Sequence, residues 1–206
     1  MNTKNIYLIF SKTGTLLSQA ISACTHKEYA HVSISLDSTF RKMYSFGRVI
    51  PNLPYPGGFV EENLYSGVYE LFPESKCMIY KLEITEDQFN IIKESIEEFL
   101  SRKDVYKYNL LGSVTLLFNK PLEREDMYFC SQFVSELLIK CGLLDNRIDP
   151  RLVRPLDLLQ FENKKLVYEG VIKDSYLYNL YKDYSIAPTS DFQFTSFIYS
   201  KVKNIF

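Results

Sequence analysis

The chain of 206 residues contains no tryptophan, only two histidines and only four cysteines. Four cysteines spread over this length fall below the density of a secreted disulfide scaffold. The absence of a C-x-x-C pair also removes zinc ribbons and thioredoxin-type motifs from consideration. If the protein uses imidazole chemistry, His26 and His31 are the only residues that can supply it.

The charges nearly cancel, and no long apolar run is present. Lys and Arg number 24 against 25 for Asp and Glu, a net charge of -1, which argues against a nucleic-acid partner and against anionic lipid surfaces. No apolar stretch reaches the ~18 residues needed to span a bilayer, so stable membrane association is not expected. Because the first residues also lack a signal-peptide pattern, we expect a cytoplasmic protein. The sequence leaves its oligomeric state open.

Common nucleotide and hydrolase signatures are also missing. The sequence has no G-x-G-x-x-G loop, no Walker A pattern and no G-x-S-x-G elbow, the usual marks of dinucleotide binding, NTP hydrolysis and serine hydrolysis. Cys24, His26 and His31 do not have the spacing of zinc ligands. We therefore expect neither a metal ion nor another cofactor.

The length and the patterning of apolar residues favour one α+β domain spanning residues 1–206. Alternating or β-branched runs predict strands at residues 5–11, 31–37, 42–48, 67–72, 77–84 and 165–169. Helical spacing predicts helices at 16–24, 104–118 and 127–142, and another after the capping box formed by Thr85 and Gln88. Three prolines and a Gly-Gly pair predict a long loop at 49–63.

The segment 127–142 carries the clearest amphipathic pattern in the chain. Its apolar residues recur at helical spacing from Cys130 to Cys141, and Gly142 ends the run. Cys130 therefore lies near the start of a helix. The partial positive charge of a helix N-terminus lowers the pKa of a thiol, which makes Cys130 a candidate nucleophile.

His31 begins an alternating strand whose same face carries Ser33 and Ser35, so its imidazole lies on a polar stripe. This placement allows a thiol on a helix to face an imidazole on a strand, as a thiol nucleophile and its base require. The alternative is structural, because free cysteine is among the most buried residue types. Spacing alone leaves both interpretations open.

Two segments resemble motifs of a known superfamily. Residues 29–34, Tyr-Ala-His-Val-Ser-Ile, resemble the histidine strand of circularly permuted papain-like (NlpC-type) cysteine peptidases, and residues 128–134, Tyr-Phe-Cys-Ser-Gln-Phe-Val, resemble their nucleophile helix. The histidine precedes the cysteine, which is the order of the permuted YiiX/YebB-like group, related to lecithin–retinol acyltransferase-like enzymes. The resemblance covers about residues 5–160 and leaves 161–206 as an aromatic-rich extension of the same domain.

The resemblance implies a permuted papain-like fold, with a central antiparallel sheet packed against the helix that bears the nucleophile. It makes Cys130 the nucleophile and His31 the general base. A third polar residue on the next strand usually orients the imidazole, and in Met-Tyr-Ser-Phe, residues 43–46, Ser45 is the hydrogen-bonding side chain left for that role. Tyr44 and Tyr128 are candidate substrate-binding residues.

The implied activity is that of a cysteine peptidase or amidase. Such an enzyme cleaves an amide bond of a peptide or cell-wall-type peptide through a thioester, so its substrate is a small peptide or acyl compound. The permuted group also includes acyltransferases and lipase-like thiol enzymes that act on lipids. A catalytically inert binding module of the same fold is the third possibility, and the sequence does not separate it from the other two.

Overall fold

One eight-stranded sheet organises the chain. The computed structural model describes residues 3–13, 29–53, 55–109 and 126–185, with side chains up to residue 181. The strands are β1 Thr3–Lys12, β2 His31–Ser35, β3 Met43–Arg48, β4 Gly57–Glu62, β5 Lys76–Thr85, β6 Lys107–Tyr108, β7 Met127–Tyr128 and β8 Lys165–Val171. Their order is β7-β6-β4-β3-β2-β1-β5-β8. Neighbouring strands run antiparallel except β6 and β7, which are parallel.

Helices cover both faces of the sheet in the described ranges. They are α1 Val68–Leu71, α2 Glu86–Ser101, α3 Cys130–Lys140, α4 Pro155–Leu159 and α5 Tyr176–Ser185. The predicted capping box opens α2: the Thr85 hydroxyl accepts from the Gln88 backbone N–H at 3.2 Å, and the Gln88 side chain accepts from the Thr85 N–H at 3.0 Å.

Side chains alternate across the sheet and build a hydrophobic core on each face. On one face, Leu8, Phe10 and Val32 pack with apolar residues of α2 and α3. On the other face, Tyr7 and Ile9 pack with residues of α1 and α5. The central strands are therefore buried on both sides, which explains why β1 reads as a continuous apolar run rather than an alternating one.

Two predicted elements are wrong. The segment 49–63, predicted as a loop, contains β4 in its second half, because Gly57 and Gly58 pair with Arg48 and Gly47 instead of ending the strand. The segment 67–72, predicted as a strand, contains the short helix α1. A run of six residues is too short for its apolar spacing to distinguish a strand from a helical turn.

Two further helix boundaries differ from their predictions. Within the predicted helix 104–118, Lys107–Tyr108 forms strand β6. Residues 110–125 lie outside the described ranges. The helix predicted at 16–24 also lies outside them. The helix predicted at 127–142 begins at Cys130, because Met127–Tyr128 pairs with β6 as β7. This shift makes Cys130 the first helical residue.

The α+β class is confirmed as a large mixed sheet with a few helices. The permuted papain-like arrangement stays a prediction. Strand β8, which lies in the predicted C-terminal extension, pairs with β5 and so belongs to the same sheet. No helix within the described parts of the chain is long and apolar enough to cross a membrane.

Candidate active site

His31 is held by a carboxylate that sequence analysis did not single out. Its Nε2 lies 3.0 Å from Oε1 and 3.2 Å from Oε2 of Glu62, the last residue of β4. Both side chains are largely removed from solvent, with 22% of His31 and 12% of Glu62 exposed. Ser33 completes the contact, since its Oγ lies 3.2 Å from the same nitrogen. The imidazole therefore has a fixed orientation with Nε2 engaged.

The sheet register explains how Glu62 reaches His31 across the intervening strand. In β3 and β4, Met43 pairs with Glu62 and Gly47 pairs with Gly58, so these four residues share one face of the sheet. A Cβ at Gly47 would lie 3.2 Å from Glu62 Oε1 and 3.7 Å from His31 Cε1. Because glycine has no side chain, this position of β3 leaves the room that the two larger groups occupy.

A buried hydroxyl network continues from the carboxylate into the protein. The Ser33 hydroxyl donates to Glu62 Oε2 at 2.5 Å. Tyr69 of α1 is fully buried beside Ser33, and its hydroxyl lies 3.1 Å from Ser11 Oγ of β1. Side chains from β1, β2 and α1 thus support the carboxylate, which limits its freedom to leave the imidazole.

Cys130 occupies the first position of α3 and is buried, with 4% of its surface exposed. Its thiol lies close enough to the His31 ring for their interaction to raise the pKa of the imidazole. Because Glu62 and Ser33 engage Nε2, Nδ1 is the nitrogen left for the sulfur. Cys130 and His31, predicted to meet, are therefore in contact.

The start of α3 is uncapped by any side chain and carries no acidic residue in its first turn. The first bond within the helix runs from the Phe133 N–H to the Phe129 carbonyl, so the preceding N–H groups have no partner within the helix. The Ser131 hydroxyl donates to the Val153 carbonyl at 2.7 Å and anchors this end of the helix. The partial positive charge of the helix start therefore acts directly at Cys130.

The two charged partners shift each other's pKa in opposite directions. Burial lowers the pKa of His31, but the charge of Glu62 and hydrogen bonds to Cys130 and Glu62 outweigh it and hold that pKa well above its ordinary value. For Glu62, burial raises the pKa, while the charge of His31 and hydrogen bonds from His31 and Ser33 lower it below its ordinary value. At neutral pH the site therefore favours an imidazolium beside a carboxylate.

The other described cysteines lack this environment. Cys77 and Cys141 are free and buried, and burial raises the pKa of Cys77 to about 12 and also raises the pKa of Cys141. Neither is in a position that favours a thiolate. Cys24 and His26 lie outside the described residues.

Ser45 and the two tyrosines expected in the site have other contacts. The Ser45 hydroxyl is fully buried and donates to the Val32 carbonyl at 2.7 Å, while Glu62 takes the place beside the imidazole. Tyr44 stacks on Phe59 with ring centroids 6.3 Å apart. Tyr128 packs among core aromatic rings and does not line the cavity described next.

A cavity of about 870 Å³ lies beside His31. His31 and Glu62 line it, and three glycines, Gly47, Gly57 and Gly58, contribute backbone rather than side chains to its wall. Tyr55, Tyr69, Tyr106 and Tyr108 are the tyrosines of its lining. Its volume is in the range of small-molecule sites.

Glu62 is the residue that sequence reasoning missed. Glu62 was not a candidate site residue because the segment 49–63 was predicted as a loop. That prediction followed from its prolines and glycines, which mark turns more often than strands. One local signal was present: Phe59-Val60-Glu61-Glu62 is a β-compatible run directly after the Gly-Gly pair. Reading that run as a strand places a carboxylate within the same sheet as His31.

The described residues contain no group of three or more His, Cys, Asp or Glu side chains arranged to hold a metal ion. The chemistry available from the described geometry is that of a thiol, an imidazole and a carboxylate in one chain of contacts. No protein-family model matches the sequence, and no curated protein matches it either, so the assignment of a function depends on this geometry.

Proposed function

We propose that this protein is a cysteine hydrolase that cleaves an amide bond in a peptide or cell-wall-type peptide through a thioester intermediate. The observation that carries the proposal is the chain of contacts from Cys130 through His31 to Glu62, with the thiol at a helix start. An activated thiol needs an adjacent base that a third group orients, and these three residues supply those parts. Glu62 takes the orienting role for which the sequence had suggested Ser45.

The reaction starts from an ion pair in which His31 already holds the proton of the Cys130 thiol, a state that the raised pKa of the imidazole favours. The thiolate attacks the carbonyl carbon, and the S–C bond forms. The C–N bond then breaks as the imidazolium gives its proton to the leaving amine. Water attacks the thioester, His31 takes its proton, and the S–C bond breaks to release the acid and restore the thiolate–imidazolium pair.

The start of α3 supports the charge that develops on the carbonyl oxygen. The backbone N–H of Cys130 and its neighbours have no partner within the helix, and no acidic side chain lies in the first turn. Such donors stabilise an oxyanion when they point at the position it occupies in the tetrahedral intermediate. The permuted papain-like fold, with the histidine strand before the cysteine helix, is part of the same proposal.

A lipid-acting thiol enzyme is the second candidate, and one observation favours it. Val49, Ile50, Leu53 and Tyr55 are exposed in the segment between β3 and β4, Tyr55 by 80%. Val49 and Tyr55 also line the cavity. Exposed apolar groups at a cavity mouth suit an acyl chain as well as a peptide side chain.

Two measurements test the proposal. First, a thiol-reactive acyl probe is expected to label the wild-type protein at Cys130 and not the Cys130→Ala variant, whereas labelling that persists in that variant contradicts the assignment. Cys141→Ala is the matched control, because Cys141 is a buried thiol on the same helix segment without an imidazole. Second, hydrolysis is measured on amide, thioester and phospholipid ester substrates. Turnover of the phospholipid alone selects the lipid-acting enzyme, and no turnover or labelling selects the inert module.

A further inference from the structure

Arg48 differs from the other described arginines in its position and in its lack of a described ion pair. It ends β3, is only partly exposed and lines the cavity beside His31. In the described part of the chain its guanidinium has neither an ion pair nor a hydrogen bond. Other arginines pair with aspartates; the pairs are Arg102–Asp126, Arg147–Asp145, Arg151–Asp149 and Arg154–Asp157.

Among the described residues, no carboxylate pairs with Arg48. Glu62 is bound to His31, burial lowers the pKa of Arg48, and among the described residues only the nearby Tyr108 phenol raises it. Two lysines and two further acids line the cavity and balance each other; they are Lys103, Lys107, Asp104 and Glu61. Within the described residues, Arg48 therefore remains a partly exposed cation in the wall of the cavity, and its donors can bind an anion.

We propose that Arg48 is the anion-binding subsite of the cavity and holds a carboxylate of the peptide substrate. The planar guanidinium matches a carboxylate with two parallel hydrogen bonds, which gives both affinity and orientation. The inference rests on the proposed thiol chemistry. It adds that the substrate of this chemistry carries a carboxylate.

Two alkylating reagents that differ only in charge test the subsite. N-iodoacetylglycine and N-iodoacetylglycinamide both react when the Cys130 sulfur displaces iodide, forming the same S–C bond, but only the first carries a carboxylate. We expect the wild-type protein to react about tenfold faster with the carboxylate reagent, relative to a free thiol in solution. Arg48→Gln is expected to abolish that preference, measured as the ratio of the two rates within the variant.

Lys103→Gln and Lys107→Gln are the matched controls, because each removes one exposed cation from the same cavity. Both variants are expected to keep the preference for the carboxylate reagent, and Arg48→Lys is expected to keep part of it. A preference that is equal in wild type and Arg48→Gln overturns the proposal. So does a preference that either lysine variant abolishes as completely as Arg48→Gln.

A second readout does not depend on the thiol. The side-chain Nε–H resonance of Arg48, assigned by its loss in Arg48→Gln, is followed by NMR during titration with N-acetylglycine or N-acetylglycinamide. Saturable shifts with the carboxylate compound alone are expected. Equal shifts, or none, with both compounds overturn the subsite. If Cys130 reacts with neither reagent, the proposed thiol chemistry fails, but this titration still decides whether Arg48 binds a carboxylate.

Discussion

His31 Nε2 lies 3.0 Å from Glu62 Oε1, although β3 separates the two strands to which these residues belong. The contact exists because Gly47 presents no side chain between them. It commits one ring nitrogen to a carboxylate and leaves the other for Cys130. A carboxylate orients an imidazole more strongly than a hydroxyl does, since it also stabilises the charged ring.

Glu62→Gln is expected to impair catalysis without unfolding the protein. The amide keeps the shape of the carboxylate but loses its charge, so the pKa of His31 falls and the imidazolium is less populated at neutral pH. We expect the rate of Cys130 acylation to drop about a hundredfold or more. Reaction rates and NMR titration of the His31 ring measure the two effects separately.

Glu61→Gln is the control for that substitution. Glu61 precedes Glu62, is exposed and makes no hydrogen bond to His31 in the described structure. Its substitution is expected to leave the His31 titration and the acylation rate within about twofold of wild type. Equal losses in both variants would show that Glu62 acts only through the general charge of the cavity.

Ser33→Ala and Ser45→Ala are expected to separate a positioning residue from a structural one. Ser33 donates to Glu62, so its loss should raise the pKa of Glu62 and slow acylation about tenfold. Ser45 donates to the Val32 carbonyl, so its loss should cost about 1 kcal/mol of stability and leave the His31 titration unchanged. Denaturant unfolding and NMR titration compare the two; Ser33→Thr, which keeps the hydroxyl, should recover part of the rate. A shifted His31 pKa in Ser45→Ala alone would reverse the assignment.

The stability conferred by the His31–Glu62 pair is expected to depend on pH in a defined window. The raised pKa of His31 contributes stability fully below its ordinary value of 6.5, and this contribution disappears as pH rises through the raised pKa. The lowered pKa of Glu62 contributes stability above its ordinary value of 4.5, and this contribution disappears as pH falls through the lowered pKa. The difference in free energy of unfolding between wild type and Glu62→Gln should therefore be greatest between these two ordinary values. Urea unfolding across the pH range tests this, and a difference that is constant with pH contradicts it.

Gly47→Ala is expected to disturb the site while the fold persists. The new Cβ would lie 3.2 Å from Glu62 Oε1, so the carboxylate must move by a few tenths of an ångström. We expect a loss of about 1 kcal/mol in stability and a lower rate of acylation, because the imidazole loses part of its support. A larger side chain, as in Gly47→Val, should increase both losses. Unchanged rates in both variants would show that the space beside Glu62 is not needed.

Local patterning predicted the parts of the site that depend on neighbours in sequence. The alternation after His31 predicts β2, and the helical spacing from Cys130 to Cys141 predicts α3, because side-chain burial repeats with the period of each element. The same logic misread 49–63, where Gly57 and Gly58 pair within the sheet. Glycine at a pairing position gives the same sequence signal as glycine in a turn.

The residue pattern alone places a thiol at a helix start, an imidazole at the start of a strand and the remaining described cysteines in the core. The folded chain adds that Glu62 rather than Ser45 holds His31, that Tyr44 and Tyr128 pack away from the cavity and that Arg48 lines it with no carboxylate partner among the described residues. The difference arises because helix and strand periods are local properties of the chain. Contacts across strands instead depend on register, on the room left by small residues and on which charges end up beside each other.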